Sequence, residues 1–262
     1  MFMCSQCNRQ TSVTAGTIFH RTRTPLRTWF AAIWFVTSQK NGVSALGLQR
    51  VLGFGSYETA WAWMHKLRRA MVRPDRDRIG GPGVIVEMDS TFIGGRSRGK
   101  GKPRYFNKHE VVIAVERGKG RALGRVRMRH IDSRDRKIEL ETFAREVLAR
   151  GTVLYTDGEK SYEDWEERFA LFHHAISMTS SPRPAHEELP GVHRVASLLK
   201  RWIEGTLHDR VSAKHLNYYL DEYTFRFNRR TSRSRGMLFY RLLQQAVNTD
   251  PHPLNELIHH TE

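Results

Sequence analysis

The sequence predicts an α/β fold in two parts, a small helical domain followed by a mixed sheet flanked by helices. Three observations carry that expectation. Residues 21–75 space their apolar side chains at helical intervals, broken at Asn41-Gly42 and Gly53-Phe54-Gly55. From residue 84 onward, short apolar strand-like runs alternate with helical patterns, as a sheet covered by helices requires. Between the two lies the stretch 74–83, rich in Arg, Asp, Gly and Pro, which reads as a linker. A chain of 262 residues, 39% apolar and 10% aromatic, has enough material for a buried core and is not a disordered tail.

The elements follow in order. Residues 1–20 are polar and open with Cys4-Ser5-Gln6-Cys7. Thr24-Pro25 supplies an N-cap and a proline at the first helical position. A helix is predicted from there to about residue 39, with Leu26, Trp29, Phe30, Ile33 and Val36 on one face. A short helix over 44–52 stops at Gly53, and Ser56 caps a third helix that reaches about residue 71. Two helices joined by a tight glycine-containing turn have the form of a helix-turn-helix. The third carries Tyr57, Trp61, Met64 and Leu67 in helical register, with Lys66, Arg68 and Arg69 at its end as candidate DNA contacts. A plain three-helix packing unit has the same pattern.

Residues 84–89 form a mostly apolar strand that ends on Asp89, and 110–116 and 123–131 follow as two more. A basic loop over 94–108 joins the first two. A helix over about 137–149 is marked by Leu140, Phe143, Ala144, Val147 and Leu148 at i, i+3, i+4, i+7 and i+8. Residues 152–156 give a fourth strand, 169–176 contain a fifth, and helices near 192–205 and 212–228 close the domain. Three hairpin-connected strands, then helix, strand, helix, strand and helices, is the order of an RNase H-like α/β core. The expected division is therefore 21–75 helix-turn-helix domain, 76–83 linker, 84–245 catalytic domain and 246–262 tail.

Charge narrows the function. Lys and Arg number 43 against 27 Asp and Glu, a formal net charge of +16, which implies a polyanionic partner, nucleic acid before others. A ribosome-associated basic protein has the same balance. Two cysteines make no disulfide framework, and the longest apolar run, 29–36, is far shorter than the roughly 20 residues that cross a bilayer. With no signal peptide at the start, a cytoplasmic protein without membrane contact is expected.

The residues that carry chemistry are acids at strand ends. Asp89 closes the first strand, and Asp157 closes the fourth, ahead of Gly158. Two such acids converging in one sheet repel by roughly 4 kcal/mol at 4 Å in an intermediate dielectric, and a cation removes that cost. Taken singly, either Asp caps a loop or helix just as well. His193 lies 36 residues after Asp157 near a helix start, and Lys200 follows two turns on, sharing its face. A solvated helix-start histidine and a surface lysine explain that spacing equally.

Asp89, Asp157, His193 and Lys200 lie within Glu87-Met88-Asp89-Ser90-Thr91-Phe92-Ile93-Gly94-Gly95, Tyr155-Thr156-Asp157-Gly158 and His193-Arg194-Val195-Ala196-Ser197-Leu198-Leu199-Lys200-Arg201-Trp202. These segments resemble a bacterial insertion-sequence transposase family with an N-terminal zinc ribbon, a helix-turn-helix and a DDE-type core. The block from Lys214-His215-Leu216 to Phe227-Asn228-Arg229-Arg230 also looks like that family's C-terminal part. The resemblance spans nearly the whole chain. It implies two-metal DNA strand cleavage and transfer with Mg or Mn, Asp89, Asp157 and His193 as ligands, and Lys200 as a DNA contact. It also implies double-stranded DNA as partner and a homo-oligomer as the active assembly.

Two departures stand out. The third ligand is His where most DDE enzymes carry Glu, and Glu187 and Glu188 are rivals for that position. Residues 1–20 look like a remnant of the zinc ribbon, but Cys4 and Cys7 supply only two of the four ligands a structural zinc needs, so zinc is not expected in this chain as it stands. Basic segments complete the expectation. Arg98, Lys100 and Lys102 in the glycine-rich loop, Arg125, Arg127 and Arg129 along one strand face, and Arg229 and Arg230 after the last core helix give a positive surface for phosphate. A truncated, inactive repressor that binds the element's ends and an RNase H-like nuclease are the competing functions.

Overall fold

The computed structural model of the chain describes residues 2–73, 75–94, 108–120, 122–177, 184–207 and 211–258. They separate into two compact units, one of residues 1–74 with 229–262 and one of residues 75–228.

The first unit opens with two short antiparallel strands, β1 (Phe2–Met3) and β2 (Gln10–Thr11), on either side of the Cys4–Cys7 turn. Helix α1 (Leu26–Ser38) begins directly after Pro25 and buries Trp29, Ala32, Ile33 and Val36. Phe30, expected on that face, is exposed, because one residue along a helix turns through about 100°. Helices α2 (Ala45–Leu52) and α3 (Tyr57–Ala70) are joined by Gly53 in the left-handed region and by Ser56, whose hydroxyl accepts from the Glu58 N–H. The core of this unit is aromatic. Trp29 stacks on Trp63 with ring centroids 3.4 Å apart, and Phe19 and Phe54 meet the pair edge-on.

The second unit is a five-stranded mixed sheet flanked by helices, consistent with the RNase H-like core expected from the sequence. Residues 74–83 are more than a linker: β3 (Ile79–Gly80) pairs parallel with a short strand further on, and Ile79 is fully buried. Strand β4 (Ile85–Ile93) runs antiparallel to β5 (His109–Arg117), which runs antiparallel to β6 (Leu123–Ile131). Helix α4 (Arg136–Val147) follows, then β7 (Leu148–Ala149), the partner of β3. That pairing ends the helix two residues before the sequence pattern does. Strand β8 (Val153–Thr156) adds parallel to β4. A 3₁₀ turn (Lys160–Tyr162) and α5 (Trp165–Phe169) lead to β9 (Phe172–Ala175), parallel to β8. The sheet order is β6-β5-β4-β8-β9. Helices α6 (Ala185–Glu188), α7 (Pro190–Leu207) and α8 (Ala213–Phe227) complete the unit.

Alternation along the strands sorts the two faces. Ile93, Val111, Ile113, Val115, Val126 and Met128 pack under α7 and α8, while Val86, Met88, Val112, Ala114 and Leu154 pack against α4 and α5. Strand β5 is buried on both faces, which explains its unbroken apolar run.

After residue 228 the chain returns to the first unit. Helix α9 (Arg235–Val247) packs on α1 and α3, with Leu242 and Ala246 fully buried, and the Ile18 N–H donates to the Ala246 carbonyl. Helix α10 (Leu254–Ile258) reaches α3. Residues 229–245, read from the sequence as part of the catalytic stretch, thus fall with the N-terminal helices.

Candidate active site

Asp89 is not at a strand end. Strand β4 continues to Ile93 because β5 remains paired with it as far as His109, and Asp89 sits opposite Ile113. Its side chain lies on the sheet face that α7 covers, in alternation with Glu87 and Ile93. Asp157 directly follows β8, two residues beyond Tyr155, which packs on that same face. His193 comes from the first turns of α7, and its Nε2 is 3.8 Å from Asp89 Oδ2.

The electrostatics of these groups are interdependent. Burial, and after it the charge of Asp157, pushes the Asp89 carboxyl up to about 7, against the pull of the Ser90 N–H and of Arg136. His193 is held below its ordinary value by burial first, with Lys200 and His186 adding and Glu87 opposing. Its Nε2 is shielded from solvent and has no hydrogen-bond partner among the described residues. Lys200 is exposed two turns along α7; burial of its stem and Lys108 lower its pKa while Asp89 raises it. Glu187 is exposed and Glu188 half-buried in α6, and neither is among the charges that act on Asp89.

Around this group lie residues that the sequence did not single out. Arg136 binds Glu110 at 2.8 Å, Glu159 at 2.6 Å and the Ser161 hydroxyl at 2.9 Å, fixing the turn after Asp157 against β5. Tyr162 is 1% exposed, its hydroxyl has no partner among the described residues, and burial followed by the Asp157 and Asp89 charges opposes its ionisation. Glu87 is fully buried, ion-paired with Arg117, and accepts the Val192 N–H at 2.8 Å. Glu87 has one legible signal, an acid alternating with Asp89 on an apolar strand. Arg136 and Tyr162 have none without the fold.

The residues suit a divalent cation. A carboxyl that burial and a neighbouring acid disfavour as an anion, facing an orphaned imidazole nitrogen, is relieved on both counts by a bound dication. Among the described residues no three His, Cys, Asp or Glu side chains form a finished metal cage.

The predicted basic contacts differ in exposure. Arg69 and Arg230 are exposed, Lys66 and Arg229 half-buried, and Arg68 is only 2% exposed. Arg98, Lys100 and Lys102 lie outside the described residues. Arg125, Arg127 and Arg129 do not form an open positive face. Arg125 binds Glu116 at 2.7 Å, Arg129 pairs with Glu146, and the buried Arg127 donates to the carbonyls of Val126 and Asp77. Strand alternation put the three side chains on one face, and acids from β5 and α4 meet them there. Cys4 and Cys7 are exposed free thiols. Among the described residues no helix is long and apolar enough to cross a membrane.

Comparison with known proteins places these observations. Over 247 residues the chain is 26% identical to an uncharacterized protein in transposable element ISH50 of Halobacterium salinarum, covering 86% of this chain and 77% of that protein. A chain in a cryoEM structure of the simian T-cell lymphotropic virus intasome with the PP2A regulatory subunit B56 gamma aligns at a TM-score of 0.32 and 15% identity. That alignment covers 69% of this chain and 64% of the intasome chain, so less than two thirds of the latter is spanned. Residues 80–228, more than half of the sequence, match the family model described as the ISXO2-like transposase domain. The chain belongs to this insertion-sequence transposase family.

Proposed function

We propose that the chain is a DDE-type transposase with an Asp-Asp-His-Lys site on an RNase H-like core, cleaving DNA at the ends of an insertion sequence and joining it to a target. One observation carries the reading most. Asp89 and His193 face each other at 3.8 Å on the sheet face covered by α7, and the Asp157 charge reaches Asp89. Asp89, Asp157 and His193 would hold two Mg or Mn ions. Bound there, the metals supply an activated water or 3′-hydroxyl and a stabilised leaving oxygen. The side chains themselves do three things. Asp89 and Asp157 provide the hard oxygen donors, and His193 adds a neutral, borderline donor where a third carboxylate would add charge. Lys200, about 10 Å along α7 from His193, offers an ammonium to a DNA phosphate. Exposed Arg69 and Arg230, with Lys66 and Arg229, contribute contacts that position DNA without reading its sequence. Arg98, Lys100 and Lys102 belong to the same proposal on their sequence alone. Base reading falls to α2 and α3 as a helix-turn-helix, and a homo-oligomer bridges the two ends.

The test is strand cleavage and strand transfer on DNA carrying the element's ends, in Mn²⁺ and in Mg²⁺. Mn²⁺ should support the faster reaction, and His193→Glu should narrow the difference while retaining some activity. Asp89→Ala and Asp157→Ala should abolish cleavage and leave end binding intact. Cleavage without joining makes the protein a nuclease. End binding with no cleavage in either metal makes it a repressor.

A further inference from the structure

Glu87 lies two residues before Asp89 on the same face of β4, and it has no exposed surface at all. Its carboxylate is ion-paired with Arg117, at the end of β5. It also accepts the Val192 N–H at 2.8 Å, in the first turn of α7 and one residue before His193. Gly191 makes room for it: a Cβ there would lie 2.9 Å from Glu87 Oε2 and 3.1 Å from its Cδ. Arg117 extends the arrangement in two directions. Its Nη2 donates to the Glu188 carbonyl at 3.5 Å, and its guanidinium lies 5.5 Å from the centroid of the Tyr155 ring, two residues before Asp157.

A buried ion pair is weak evidence of stabilisation, since desolvation offsets most of the attraction. This pair has a more specific geometry. Its contacts end on the three elements that carry the proposed ligands: β4 two residues from Asp89, β8 two residues from Asp157, and α7 one residue from His193. The link from Asp89 to His193 through Glu87 involves one carboxylate and one backbone hydrogen bond. The helix start also favours an anion at that point, because its first N–H groups have no partner within the helix.

We infer that Glu87 and Arg117 are a positioning pair that sets Asp89, Asp157 and His193 against one another. The inference rests on the Asp-Asp-His reading of the site. Two variants of the full chain test it. Glu87→Gln removes the charge and keeps an acceptor; Gly191→Ala keeps both charges and forces the helix start off the carboxylate. Mn²⁺ affinity is measured from the resonance of free Mn²⁺, with amide hydrogen exchange followed at Val192 and His193. Both variants should weaken Mn²⁺ binding about 10-fold, the lower end of what loss of a ligand-orienting partner costs. Exchange at the two amides should quicken at least about 10-fold. In a His193→Ala background each variant should weaken Mn²⁺ binding less than it does in the native chain, since the part of the positioning that acts through His193 is already lost. Native Mn²⁺ affinity in Glu87→Gln and Gly191→Ala, where His193→Ala does weaken it, overturns the positioning role alone. So does full multiplication of the losses in the double variants, which marks a merely structural contribution. If His193→Ala leaves Mn²⁺ affinity unchanged, the ligand reading fails and the inference falls with it. Should Glu87→Gln not fold, Gly191→Ala decides by the same measurements.

Discussion

Asp89 stores a conflict between its burial and its charge. Its ordinary pKa is 3.8, and in the folded chain burial and Asp157 push it up to about 7. The folded state therefore holds the proton more tightly than the unfolded one. The resulting cost is nearly absent below about pH 4, grows as pH rises, and is complete above pH 7. At full ionisation it amounts to about 4 kcal/mol. Asp89→Asn should consequently raise the metal-free melting temperature by about 8–16 °C at pH 8 and by only about 1–2 °C at pH 4. Calorimetry at both pH values checks it, and equal gains would place the effect elsewhere than in ionisation. At this scale the sequence was partly legible. Asp89, Asp157 and His193 stood out through strand position and motif. Glu87 and Arg136 did not, because their roles depend on partners such as Val192, 105 residues away from Glu87, that only the fold brings near.

Elements of a few residues escape periodicity, and β3 shows why. Its two residues sit in a stretch whose Gly, Pro, Arg and Asp content reads as linker, yet they pair with β7 and seal one edge of the second unit's core. Gly80 has φ +83°, and a Cβ there would lie 2.2 Å from the Thr152 hydroxyl. Its N–H donates to Glu116 and the next N–H to Thr152, so the turn is tied on both sides. Gly80→Ala should cost about 2–3 kcal/mol of stability in denaturant unfolding, with both backbone strain and overpacking against it. A loss under about 0.5 kcal/mol would mean that 79–80 is a tether after all. Longer elements were read well for the opposite reason. Strands β5 and β6 and helices α4, α7 and α8 each repeat their apolar spacing often enough to be seen. The error at Asp89, placed at a strand end, arose because polar Ser90 and Thr91 interrupt the apolar run while the backbone pairing continues.

The whole chain carries +16, but in the second unit Arg125, Arg129 and Arg136 each answer an acid. Sequence gave the composition without the pairing. It also gave a linear domain order, where the first unit is built from both ends of the chain. Helix α9 supplies Leu238, Leu242 and Ala246 to that unit's interior, and Trp34 meets Phe239 edge-on at 6.0 Å. Removing residues 229–262 should therefore unfold the N-terminal helices while leaving the fragment 75–228 cooperative, as separate transitions in circular dichroism would show. A fragment of residues 1–75 that folds and binds element ends on its own would refute this.

The return of α9 also sets a timetable for synthesis. Domains generally fold in the order in which they leave the ribosome. Here the second unit is complete by residue 228, whereas the helical unit begun first waits for α9, whose last residue is Val247. A nascent chain thus holds the finished sheet of the second unit before the unit proposed to recognise DNA has closed its core. Any chain that stops short of α9 carries the proposed chemistry without the proposed address.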